Sequence, residues 1–187
     1  MGLDAVTAKE KPAGKGDGKR DPFASFCARI PMLPAGDRAA LRRLFLTRSD
    51  QAVGVVTGLL LGAGVPEPEW RTTEAFARWE LLAHVAAVLS GTAAIPPHQP
   101  GITLGRALHE ARYSDNRLRR LTGARGPALA DQIVRAARVL AAAGKAPVDL
   151  RPLRRLSFDT GDGAEAARLA IARDYYAAAY ASTKDAP

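Results

Sequence analysis

TTEAFARWELLAHVAAVLSG, residues 72–91, decides the fold. Phe76, Trp79, Leu82, Val85 and Leu89 recur every three or four residues, the period of one helix face. Thr72 or Thr73 can cap the start by accepting a free backbone N–H, and Gly91 can take the left-handed conformation that ends a helix. The stretch predicts a long helix at the centre of a core.

The same grammar holds on both sides of it. Asp21-Pro22 reads as an N-cap followed by Pro at the first helical position, opening a helix through Ile30 that Pro31 and Pro34 close. A second helix is expected from Pro34 to Leu46, with Leu41, Leu44 and Phe45 on one face, Arg43 nearly opposite and Arg42 to the side. An apolar, glycine-weakened helix follows from Ser49 to about Leu61 and ends at Gly64-Val65-Pro66. After residue 91, Pro96, Pro97, Pro100 and Gly101 mark the clearest break. Beyond it Thr103 caps a helix to about Tyr113, and Ser114 or Asp115 caps a short one ending near Gly123. Pro127 opens a long amphipathic helix that stops at Gly144, Asp149 caps another, and Gly161 to Gly163 precede a last helix reaching about Tyr180.

Ala, Leu and Arg recur through all 187 residues, while alternating runs of Val, Ile and Thr are nearly absent. The expectation is an all-α protein of two small helical bundles joined by a Pro/Gly-rich linker. Its parts are a disordered basic tail at 1–20, an N-terminal subdomain at 21–95 and a basic C-terminal bundle at 96–187. A hydrophobic fraction of 47% supplies a real core. No apolar leader opens the chain, and the most apolar stretch, Val53 to Val65, is short and broken by glycines. A soluble, cytoplasmic protein without a membrane anchor is expected.

The net charge of +8 is unevenly spread. Residues 100–155 carry 12 positive and 4 negative side chains, whereas residues 51–99 and 156–187 are each −2. Eleven of those 12 cations are arginine, whose planar fork suits phosphate. In Arg117-Leu118-Arg119-Arg120-Leu121 the leucines define the buried side, Arg119 and Arg120 each point about 130° from its centre, and Arg117 flanks it. In the long helix Ile133, Ala137 and Leu140 take the core side and leave Arg135 and Arg138 outward. Lys145, Arg151, Arg154 and Arg155 extend the basic surface along the chain. Unpaired arginines on rigid helices form a surface that follows phosphates by releasing condensed counterions. A merely solubilising face is the plain alternative; the confinement of charge to one region between acidic flanks favours binding.

Catalytic patterns are sparse. Cys27 is the single cysteine and reads as a buried small apolar residue. His84 belongs to the core helix, His98 sits in a Pro-rich loop, and His109-Glu110 lacks the second histidine of a metalloprotease helix. Asp159 and Asp162 flank a glycine turn and read as caps. No phosphate loop, nucleophile elbow, dinucleotide fingerprint or zinc-finger spacing occurs, so no cofactor or metal is expected. Tyr175 and Tyr176 could stack on bases, although one packed inward and one at the edge is the commoner arrangement for adjacent helical positions.

Over residues 37–180 the chain resembles the CasB-type small subunit of the type I-E CRISPR surveillance complex, Cascade. The resemblance is carried by Leu104-Gly105-Arg106-Ala107-Leu108, Arg117 through Leu121, Ile133 through Leu140, Pro147-Val148-Asp149, Leu153 through Leu156, and Ala172-Arg173-Asp174-Tyr175-Tyr176. Trp70 also stands where the family tends to have an aromatic residue, whereas Leu150 replaces a frequent Trp. The resemblance implies two helical subdomains, no catalysis and paired small subunits beside the backbone and large subunits. It further implies contact with guide RNA, target DNA and the displaced single strand, stabilising the R-loop without reading sequence. Arg42, Arg43, Arg106, Arg112, Arg117, Arg119, Arg120, Arg135 and Arg138 are the expected nucleic-acid contacts. The alternatives are a helical sequence-specific DNA-binding regulator, a small helical enzyme with an unrecognised site, and an assembly adaptor whose arginines meet acidic protein surfaces.

Overall fold

The computed structural model describes residues 21–47 and 49–184, so the tail expected at 1–20 lies outside the described residues. Within them the chain is all-α, in nine helices: α1 Pro22–Arg29, α2 Ala35–Arg43, α3 Asp50–Ala63, α4 Thr73–Ser90, α5 Leu104–Glu110, α6 Asp115–Gly123, α7 Gly126–Ala142, α8 Arg151–Phe158 and α9 Asp162–Lys184.

The expected caps form at Asp21, Ser49 and Thr72, whereas Thr103 and Ser114 precede α5 and α6 without a side-chain capping bond. The Asp21 carboxylate accepts the Phe23 N–H, the Ser49 hydroxyl accepts that of Ala52, and the Thr72 hydroxyl accepts that of Ala75. Each satisfies one of the backbone donors that a helix start leaves open. Gly64 closes α3 in the left-handed conformation. The Asp149 carboxylate accepts the Arg151 N–H at 3.0 Å from one residue ahead of the N-cap position, which Leu150 occupies.

Three expectations need correction. Helix α2 ends at Arg43 rather than Leu46, so Phe45 turns outward and lies edge-on to the His84 ring instead of joining Leu41 and Leu44 in the core. Helix α5 stops at Glu110 rather than Tyr113, because Arg112 adopts a left-handed φ of 56°. Its successor Tyr113 returns its N–H to Leu108 O at 3.0 Å. Helix α9 runs to Lys184, four residues past the expected end.

Helix α4 is the axis of the core. Trp79 is buried against Phe26 and Phe158, with ring centroids 5.0 and 5.3 Å away, and its indole N–H reaches Glu69 O at 3.1 Å. One face of α4 meets α2 and another meets α7, while α9 packs on α5, α6 and α8. The α5–α9 approach depends on Gly105: a Cβ there would stand 2.2 Å from Ile171 O and 2.7 Å from Tyr175 N. The Pro/Gly segment between α4 and α5 is pinned to the loop before α8. Gln99 N–H donates to Val148 O, Val148 N–H to Pro97 O, and Asp149 N–H to Ile102 O. Buried apolar contacts run through the chain from Phe23 to Tyr175. No helix among the described residues is long and apolar enough to cross a membrane.

Candidate nucleic-acid interface

Helix α6 buries Leu118 and Leu121, and α7 buries Leu129, Ile133, Val134, Ala136, Ala137 and Leu140. Between the two helices runs a groove of about 340 Å³ lined by Tyr113, Arg117, Arg120, Gln132, Arg135, Arg138 and Val139. All four of these arginines are exposed, and none forms an ion pair among the described residues.

Two neighbouring groups register the resulting field. Burial raises the Tyr113 phenol above its ordinary value, while the charges of Arg117 and Arg135 draw it back. Burial lowers the His84 imidazole, and the charge of Arg138 lowers it further. The Nδ1 of His84 lies 3.0 Å from Leu41 O, so the end of α2 that carries Arg42 and Arg43 adjoins the imidazole that feels Arg138.

The other expected contacts are placed differently. Arg42 is half-buried and donates to Gly91 O at 3.0 Å, whereas Arg43 is exposed. Arg106 is paired with Glu110 at 2.7 Å, and Lys145 reaches the same carboxylate at 3.0 Å. Hydrogen bonds from Arg106 and Lys145 hold that carboxyl below its usual range. Arg112 is exposed at its strained turn. Arg119 leaves α6 on the side away from the groove, pairs with Asp115 at 2.9 Å and hydrogen-bonds Tyr176. That hydrogen bond first, and then the Asp115 charge, raises the Arg119 pKa.

Helical geometry explains the split on α6. At 100° per residue, Arg117 and Arg120 fall on one flank of the Leu118–Leu121 face, and Asp115 and Arg119 fall on the other. Among the cations further along, Arg151 is clamped by Asp149 and Arg154 is half-buried, while Arg155 is exposed. Arg154 bonds Glu69 at 3.0 Å and lies over the rings of Phe23, Trp79 and Phe158, so its place is in the packing between α8 and the N-terminal helices.

Cys27, His98 and Asp159 each have a place in the packing. Cys27 is buried, and its thiol is pushed far up by that burial. His98 accepts the Leu150 N–H on Nδ1 at 3.1 Å and so holds the linker against α8. Asp159 packs against Gly163 in the turn before α9. No cluster of three or more His, Cys, Asp or Glu among the described residues is placed to hold a metal ion.

These features define, among the described residues, an all-helical protein in which four exposed arginines without ion pairs line one inter-helix groove. Residues 37–176 match the family of the CRISPR-associated protein Cse2. The chain belongs to that family, and is a small subunit of a type I-E CRISPR Cascade complex. No curated protein and no solved structure matches it.

Proposed function

We propose that this subunit holds nucleic-acid backbone within the Cascade complex through the α6–α7 groove, without reading sequence and without catalysis. Arg117, Arg120, Arg135 and Arg138 form the centre of the surface. Arg43 and Arg112 extend it, Arg42 and Arg106 sit at its margins, bonded to Gly91 and Glu110, and Arg119 lies on the other flank of α6 with Asp115. The observation that carries this reading is that four exposed arginines from two packed helices line one groove with no carboxylate among its lining residues.

Pairing between guide and target supplies the sequence information, and exchanging one duplex for the other is nearly balanced in energy. A modest, sequence-independent grip on phosphates then suffices to favour the open R-loop and its displaced strand. Residues 21–95 and 96–187 serve as two helical units of a cytoplasmic complex, in contact with the backbone and large subunits and with a second copy of the chain.

The test is the salt dependence of binding to an RNA–DNA heteroduplex by the full chain and by its R117A/R120A/R135A/R138A variant. Each lost phosphate contact removes roughly 0.7–0.9 from the slope of log K against log salt, so the variant should lose about 3. An unchanged slope would overturn the assignment of the groove.

A further inference from the structure

The flank of α6 opposite the groove faces the one long helix whose outer surface is aromatic. On α9, Leu169, Arg173, Tyr176 and Tyr180 succeed one another at steps of four, three and four residues and so share a face. Tyr176 is 45% exposed, Leu169 71% and Tyr180 75%. A stripe of this kind is unusual on the surface of a chain with so few aromatic residues, at 6% of its composition.

Tyr176 is also held in place. Its hydroxyl donates to the Asp115 carboxylate, Arg119 bonds the same hydroxyl, and its ring meets that of the buried Tyr175 edge-on at 5.4 Å. Tyr175 is anchored in turn by its hydroxyl, which donates to Tyr113 O at 2.5 Å. Tyr113 lines the arginine groove, so one chain of contacts runs from the groove floor to the outer aromatic stripe.

We infer that Tyr176 and Tyr180 form a stacking platform for unpaired bases of a single nucleic-acid strand whose phosphates are followed by Arg119 and Arg173. The four-residue step sets positions 176 and 180 about 6 Å apart along the helix axis, close to twice the roughly 3.4 Å spacing of successive nucleotides in a strand. Arg119 and Arg173 carry only exposed pairs, with Asp115 and Asp174. Such pairs are weak in water and exchange readily for phosphate. Aromatic rings between cations are what a single strand engages, because every base offers a π-face and a duplex hides it. Helix α6 thus separates two surfaces, a groove for backbone and a platform for bases.

This inference rests on the proposed nucleic-acid role, and the test keeps the two apart. Binding of the full chain is measured against a fluorescent single-stranded DNA of mixed sequence and against an abasic strand of equal length. The Y176A/Y180A variant should bind the ordinary strand about tenfold more weakly and the abasic strand as the parent does. The Y176F/Y180F variant, which keeps both rings but frees Tyr176 from Asp115 and Arg119, should bind the ordinary strand more tightly than Y176A/Y180A does and the abasic strand as the parent does. The R117A/R120A/R135A/R138A variant should weaken both. Equal binding of the ordinary strand by Y176A/Y180A and the parent would overturn the platform, as would equal losses on both strands, the outcome expected if the stripe only contacts protein. Failure of the arginine variant alone would instead remove the groove.

Discussion

Arg119 and Arg120 are neighbours in the chain and leave α6 on opposite flanks. Arg119 is tied to Asp115 and Tyr176 beside α9, and Arg120 lines the groove against Arg135 and Arg138 of α7. The basic surface is therefore divided by a single helix rather than spread evenly over it.

Arg120→Ala should therefore lower the salt slope of heteroduplex binding by nearly one, as the loss of one phosphate contact does. Arg119→Ala should change that slope less, since Arg119 leaves α6 on the flank away from the groove. A salt titration of both variants checks this, and equal effects would contradict the division.

Gly105→Ala should destabilise the fold. The added methyl would meet the α9 backbone at Ile171 O and Tyr175 N, groups that cannot rotate aside. Overpacking of this kind costs about 1–3 kcal/mol. Chemical denaturation should show a lower midpoint, and a midpoint equal to the parent's would mean that α5 and α9 are not held so closely.

Arg154→Ala should also act on stability rather than on binding. It removes the ion pair with Glu69 and the contacts over Phe23, Trp79 and Phe158, worth about 1 kcal/mol together. Its midpoint should fall while the heteroduplex affinity of the folded fraction stays the same.

Acidification should weaken the fold through two buried histidines. Burial lowers the pKa of both His84 and His98 from the ordinary 6.5. As pH falls below about 6.5, the unfolded chain binds protons that the folded chain refuses. Stability is then full above that pH and declines toward the lowered folded-state values. Urea midpoints at about pH 7.5 and pH 5.5 check the sign, and a higher midpoint at the lower pH would contradict it.

The local parts of this architecture are legible in the residues themselves. Caps at Asp21, Ser49 and Thr72 and the 3.6-residue spacing of α4 suffice to draw α1, α3 and α4, because they concern groups within one or two turns. Ion pairs at helical spacing, Arg106–Glu110 and Arg119–Asp115, were within reach of the same logic. The left-handed turn at Arg112 was not, since nothing distinguishes that arginine from one inside a helix. Nor was the role of Arg154, whose partner Glu69 lies 85 residues away. The angle at which each arginine leaves α6 follows from Leu118 and Leu121, but which helix stands on each flank is decided by tertiary packing. The separation of groove from platform is a property of that packing alone.

The most direct test of the groove is R-loop formation by a reconstituted Cascade complex carrying the R117A/R120A/R135A/R138A chain, followed as the lifetime of the opened target at increasing salt. If these arginines grip backbone, the variant complex should load guide normally, and its R-loop should be at least about tenfold shorter-lived and less sensitive to salt than the parent's. A lifetime and a salt dependence equal to those of the parent complex would contradict the claim.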